Sequence, residues 1–199
     1  MNETTRETLD PRVRRTRQLL QSALSKLLEQ KEFEKISIQD IADAATLNRA
    51  TFYDHYDDKF ALLECMVGSR FHELLAERGV RFDGSCAGAL GAMVLGVCDF
   101  LMNSPGAEDE HQRLMGPHLE SAAVAVVRKM ILDGLKMHPG QSAASPEMMA
   151  STVSWAIFGA AKEWVRTPNR CSSEEIVETV TRLVTPIFGP ASSGGVFGE

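Results

Sequence analysis

Asn48, Arg49 and Ala50 open the run Asn48-Arg-Ala-Thr-Phe-Tyr-Asp-His-Tyr56, whose polar side chains suit recognition by hydrogen bonds, not bond breaking. An arginine guanidinium offers two parallel donors that match the O6 and N7 edge of guanine. For that chemistry the arginine must stand at the N-terminal end of a helix that enters a major groove. Arrangements that do covalent chemistry are missing: the chain holds no GxSxG, P-loop, HExxH or paired Cys/His set. Cys65, Cys86, Cys98 and Cys171 are scattered, with no CxxC and no histidine at ligand spacing. No catalytic residue, metal site or cofactor is expected, and the cysteines read as small buried hydrophobes in a reducing compartment.

The flanking residues say how such a run would be held. Ser37 precedes Ile38-Gln-Asp40, so its hydroxyl can cap the Asp40 amide while the Asp40 carboxylate sits in the positive first turn. Ile36 and Ile41 stand at the positions of a hydrophobic staple. Asn48 caps a following helix in the same way, with Leu47 and Phe52 as its staple. Two short stapled helices with a brief connection make a helix-turn-helix. Neither is long enough to persist alone, so packing must hold both. A preceding helix, starting at Pro11, supplies Val13, Leu20, Ala23, Leu24, Leu27 and Leu28 at helical spacing. In this arrangement Asn48, Arg49 and Ala50 reach base edges, Phe52 and Tyr56 are core, and Ser37 and Asn48 are caps that are also free to meet phosphate.

The segments Ile38-Gln-Asp-Ile-Ala-Asp-Ala-Ala45, Asn48 to Tyr56 and Lys59-Phe-Ala-Leu-Leu63 resemble the DNA-binding signature of the TetR family almost position for position. The resemblance covers residues 12–64; beyond it only the number and lengths of helices agree. It implies phosphate contacts from Thr51, Tyr53, His55 and Lys59, with Ser37 adding its hydroxyl and a helix N-terminus. It further implies a homodimer whose recognition helices enter successive major grooves of a palindrome. One position departs from the pattern: the family usually carries Gly where this chain has Thr46, and a left-handed backbone there would carry a steric cost.

The charge balance gives DNA binding little help. Net charge is −6; residues 1–60 hold 10 Lys and Arg against 11 Asp and Glu, and the remainder 11 against 16. Any DNA contact must therefore come from local placement. Arg14, with Arg12, Arg15 and Arg17, clusters at the start of the first helix, where it can reach the DNA backbone or lie on a solvated face. No apolar run approaches the ~18 residues of a membrane span. Met1 to Arg12 has no apolar signal core, so a cytoplasmic protein with no membrane partner is expected.

The rest of the chain also reads as helices, with no period-2 strand pattern. The expected fold is all-α with about nine helices. A three-helix DNA-binding domain spans 11–56, an effector-binding and dimerisation domain 57–189, and a disordered Gly- and Ser-rich tail 190–199. Expected helices run from Asp57 or Asp58 toward Arg78, over 85–103, over 107–115 with a stop at Gly116-Pro117, over 118–137, and from Pro146 to Arg166. The last opens on a capping box of Ser172 and Glu175 and ends about Phe188. The helix bearing Val153 to Ala161 is apolar almost all round, and the last helix carries a wide apolar stripe. Pairing both with their copies in a four-helix interface would cover them. The expected interface residues are Ala156, Gly159, Ala160, Glu163, Val180, Leu183 and Ile187; the alternative is a helix central in the monomer. Gly88, Gly91 and Gly96 remove volume from one helix, and methionines and aromatics offer adaptable walls. Met66, Met93, Val97, Phe100, Met115, Met130, Trp155 and Phe158 are candidate pocket walls, with Arg70, His111 and His118 as polar points. Ordinary core packing accounts equally well for each of them.

Taken together, the sequence implies a DNA-binding transcriptional regulator. The expected form is a homodimeric repressor of a palindromic double-stranded operator, released by a small apolar or amphipathic effector. Control by a protein partner, or activation in place of repression, are the alternatives.

Overall fold

The computed structural model describes residues 10–77, 86–103, 110–137 and 144–189; at 86–87, 103 and 110–115 it describes the helical backbone only. Among the described residues there are eight α-helices and no strand: α1 (Pro11–Leu28), α2 (Ile38–Ala44), α3 (Arg49–Tyr53), α4 (Lys59–Glu77), α5 (Cys86–Asn103), α6 (Glu110–Met137), α7 (Pro146–Arg166) and α8 (Ser173–Val184). Two 3-10 turns, Phe33–Lys35 and Thr185–Phe188, complete the order. The expected tail, 190–199, lies outside the described residues. No helix of the described residues is long and apolar enough to cross a membrane.

Most helices begin where a side chain replaces the missing backbone acceptor. Asp10 Oδ1 accepts from the Arg12 amide at 2.9 Å, with Pro11 in the first position of α1. Asp58 Oδ1 accepts from the Ala61 amide at 2.8 Å and opens α4. Ser145 accepts from the Met148 amide at 3.2 Å, ahead of Pro146. The capping box at α8 is complete: the Glu175 amide donates to Ser172 Oγ at 3.3 Å, and Glu175 Oε2 accepts from the Ser172 amide at 2.9 Å.

The expected stop at Gly116-Pro117 does not occur. A single helix, α6, runs through Pro117. Proline removes one amide donor and crowds the residue before it. That preceding residue is Gly116, whose missing side chain eases the crowding.

The chain divides into two compact units, Met1–Met66 with Gly106–Leu119, and Val67–Pro105 with Glu120–Glu199. The first, here the head, is built on Leu20, Leu24, Phe33, Ile36, Ile41, Phe52, Leu62 and Leu63, all fully buried or nearly so. Lys59 to Met66, which the sequence assigns to the following domain, group with the head. In the second unit, the body, α5 packs against α7 and α8 around Val94, Val97, Val153, Ile157, Phe158 and Val180. Gly96 is required there: a Cβ at this position would lie 2.8 Å from both Cε atoms of the Phe71 ring. The volume that this glycine releases is therefore filled by an aromatic side chain.

Candidate nucleic-acid interface

The head's polar geometry starts at Ser37. The Asp40 amide donates to Ser37 Oγ at 3.1 Å, and Asp40 Oδ2 accepts from the Ser37 amide at 2.8 Å, so the cap is reciprocal. Lys31 Nζ lies 2.8 Å from the same Asp40 oxygen. The Lys31 contact first, then the Ser37 amide and hydroxyl, hold the Asp40 carboxyl well below the usual carboxylate range. Ile36 and Ile41, the expected staple, are both buried.

The exit from α2 is a complete Schellman motif. The Leu47 amide donates to the Ala42 carbonyl at 2.9 Å and the Thr46 amide to the Asp43 carbonyl at 3.0 Å. Thr46 itself has φ 58°, in the left-handed region that disfavours β-branched residues. The hydrogen bonds of α2 and the start of α3 together hold it there. Asn48 Oδ1 then accepts from the Ala50 amide at 2.9 Å and caps α3, as its place in the sequence predicts.

On five-residue α3, Phe52 is fully buried while Asn48, Arg49 and Ala50 are exposed. Arg49 lies along the helix: its Nη2 donates to Tyr53 Oη at 3.1 Å, and its guanidinium stands 5.7 Å from the Tyr53 ring centre. Tyr53 is 47% exposed and Ser37 is exposed, whereas Thr51 and His55 are half-buried. Asn48, Arg49 and Tyr53 thus form a polar patch beside the buried Phe52, whereas Ser37 spends both its amide and its hydroxyl proton on Asp40 Oδ2, each at 2.8 Å.

The sequence of the head has known relatives. Residues 20–66 match the family model of the bacterial regulatory proteins of the tetR family. Over those residues the chain is similar to the DNA-binding region of the tetR family. Over 68 residues it is 43% identical to the HTH-type transcriptional regulator YxbF of Bacillus subtilis, a stretch that is 34% of this chain and 18% of that relative. The match therefore spans less than a fifth of the relative's length. Lin0861 of Listeria innocua has the same fold, with a TM-score of 0.60 at 18% identity, over 90% of this chain and 94% of that one. A TetR transcriptional regulator from Streptococcus agalactiae aligns at a TM-score of 0.45 and 19% identity, over 89% and 96% of the two chains.

Two of the cations expected to face DNA, Lys59 from the resemblance and Arg17 from its place in the arginine cluster, are turned elsewhere. Lys59 Nζ donates to the carbonyls of Phe33, Glu34 and Ile36 at 2.8, 3.1 and 3.0 Å, which uses all three ammonium protons. It also lies 4.6 Å from the Phe33 ring centre. Its place in this structure is to close the turn before Ser37, with no donor left over for phosphate. Arg17, one of the four arginines of α1, turns to the head's interior, 5.9 Å from the Tyr56 ring, whereas Arg12, Arg14 and Arg15 remain exposed. Tyr56 is core: its hydroxyl donates to Cys65 Sγ at 3.4 Å, and burial, then that contact, push its ionisation up. No local signal in the sequence marks the Lys59 contact, because its acceptors lie more than twenty residues away.

In the body the candidate pocket residues separate into distinct settings. Met93, Val97, Phe100, Met130 and Phe158 are buried, and Met66 is half-buried. Trp155 is 59% exposed. Arg70 faces outward, with Glu73 at 3.3 Å and Glu77 at 3.5 Å. His118 belongs to the head unit, where its Nε2 lies 3.0 Å from Glu34 Oε1. The side chains of His111 and Met115 lie outside the described residues. An open groove of about 630 Å3 follows the end of α7, lined by Met102 and residues 164–173. None of the candidate pocket residues lines it.

Of the candidate interface residues, Ala156, Gly159, Glu163 and Leu183 are exposed, and Ala160 and Ile187 are half-buried. Val180 is 1% exposed and packs into the body's own core, so it has no surface to offer a second chain. Met148, at 64% exposure, and Trp155 extend the apolar face of α7 beyond the predicted set.

Proposed function

We propose that this chain is a repressor that binds a palindromic operator as a homodimer and leaves it when a small apolar or amphipathic effector binds the body. The observation that carries this reading is the head: a doubly capped α2, a turn locked by a Schellman motif, and Asn48, Arg49 and Ala50 exposed at the start of α3. In a helix-turn-helix those residues meet base edges. Arg49 reads guanine, Tyr53 steadies it, and Thr51, His55 and Arg14 meet the backbone, while Ser37, its donors held by Asp40, fixes the start of α2. The exposed apolar residues of α7 and α8 support the homodimer, because uncovered Met148 and Trp155, two turns apart on α7, and Leu183 on α8 mark surface that seeks cover. With the head reading DNA and the body sensing and pairing, the protein works in the cytoplasm without catalysing a reaction.

One observation favours control by a protein partner instead. The buried methionines and aromatics lie in a packed core in which Phe71 fills the space over Gly96. Footprinting of the DNA upstream of the protein's own gene decides the main point. The expected result is a protected palindrome, with Arg49→Ala weakening binding by roughly 1–3 kcal/mol and relaxing sequence preference. Equal protection by the wild type and Arg49→Ala overturns the assignment of the reader.

A further inference from the structure

The turn Phe33–Lys35 is separated only by Ile36 from Ser37, the cap that orients α2, and two separate parts of the head grip it. From α4, Lys59 ties down its carbonyls, and the Phe60 ring meets Phe33 edge-on at 5.2 Å. From α6, the His118 imidazole lies 4.9 Å from Phe33 and 6.0 Å from Phe60, with its Nε2 3.0 Å from Glu34 Oε1. Phe33 beneath them is 2% exposed. Residues Gly106–Leu119 accordingly count as part of the head, although the same helix continues into the body after Leu119.

We propose that His118 is a positioning residue for the DNA reader: through Phe33 and Glu34 it sets the turn that presents Ser37 and α2, and ties that turn to α6. The inference rests on the regulatory reading above and places His118 in the coupling route instead of the effector pocket. Ring packing carries most of the contact. The Glu34 side chain is 66% exposed, and an ion pair that open to water adds little. The His118 ring packs at a tilt of 51° against both phenylalanines and helps to keep Phe33 from water, a contact with a defined geometry. Any displacement of the first turns of α6 must then either drag the Phe33 turn with it or break this packing.

The test compares His118→Ala, His118→Phe and Glu34→Gln with the wild type in two measurements on the full chain. Hydrogen exchange by mass spectrometry, without DNA, reads residues 33–37 and 59–63. Titration with the upstream DNA fragment reads affinity. His118→Ala is expected to speed exchange in both segments and to weaken DNA binding about tenfold, within the usual range for coupled sites. His118→Phe, which keeps the ring, restores both, and Glu34→Gln changes affinity by less than about twofold. Unchanged exchange at 33–37 in His118→Ala overturns the proposal, as does exchange that rises equally in α7 and α8. Faster local exchange with undiminished affinity also overturns it, since the residue would then be structural only. If the wild type itself protects no DNA, the regulatory reading fails and the positioning role with it, while exchange still decides whether the contact exists.

Discussion

The head and the body both leave side chains uncovered, but of opposite kinds. Around α2 and α3 the exposed groups are Ser37, Asn48, Arg49 and Tyr53, placed by caps and a turn whose hydrogen bonds are local in sequence. On α7 and α8 they are Met148, Trp155 and Leu183, placed by burial of the opposite helix faces through Val153, Ile157, Ala161, Ile176 and Val184. A surface of donors on a short helix suits a hydrated, charged partner whose contacts are discrete. An apolar face suits a partner that excludes water over an area. The contrast separates two kinds of recognition within one chain, and each can be disturbed without touching the other.

The largest disturbance is expected at Leu183, 69% exposed on α8. In the proposed homodimer Leu183→Glu would bury a carboxylate twice, at a cost of roughly 3–5 kcal/mol for an unpaired buried charge. Sedimentation velocity should show monomers, with the helical content of each chain retained. A dimer unaffected by this change would mean that the pairing surface lies elsewhere. Next comes Gly96→Ala, which forces a methyl into the Phe71 ring; overpacking of this kind costs about 1–3 kcal/mol. Denaturant melts of the body should register it. Stability equal to the wild type would mean that the site is roomier than the packing implies, which would favour a cavity for an effector.

The two regions also differ in how far they can be read from sequence. Ser37 with Asp40, Asn48, and Ser172 with Glu175 announce their helices because a cap and its amide lie within three residues of each other. The all-helical fold and the helix-turn-helix follow from such local signals. Lys59 and His118 carry none. Their partners are a turn some 23 to 26 residues upstream for Lys59, and a segment more than eighty residues away for His118. Pro117 gives a misleading signal, since proline usually ends a helix and here stands inside α6. Val180 shows a related limit: helical spacing shows that α8 has an apolar stripe but not which part of it the monomer itself covers. Residues such as Met93 and Phe158 read equally well as pocket or core, because apolar composition does not encode whether the space beside it is filled.

A smaller and favourable effect is expected in the head. Thr46 occupies the left-handed position that closes α2, where a Cβ meets backbone. Thr46→Gly removes that strain, offset partly by the greater freedom of glycine in the unfolded chain, for a net gain of about 1 kcal/mol. Thr46 is exposed, so no packing is lost. A raised melting temperature with α2 and α3 unchanged is the expected result; a fall would show that the Thr46 side chain contributes more than its backbone conformation costs.

The smallest effect concerns Asp40, which lies at the surface beside Lys31 and Ser37. Its carboxyl is held below its ordinary range by these partners, so the folded state favours the charged form. A group with a lowered folded value contributes fully above its unfolded value of about 3.9 and loses that contribution as pH falls through the folded value. Between pH 5 and 8 the difference in melting temperature between the wild type and Asp40→Asn should therefore stay constant, with the wild type higher. Below pH 4 the difference should shrink, because the wild type then loses what the variant never had. Added salt should narrow the gap at neutral pH through the Lys31 contact, while the short bonds to Ser37 resist screening. A gap insensitive to acid would mean that the cap works through hydrogen-bond geometry alone, and that the head's polar locking owes nothing to charge.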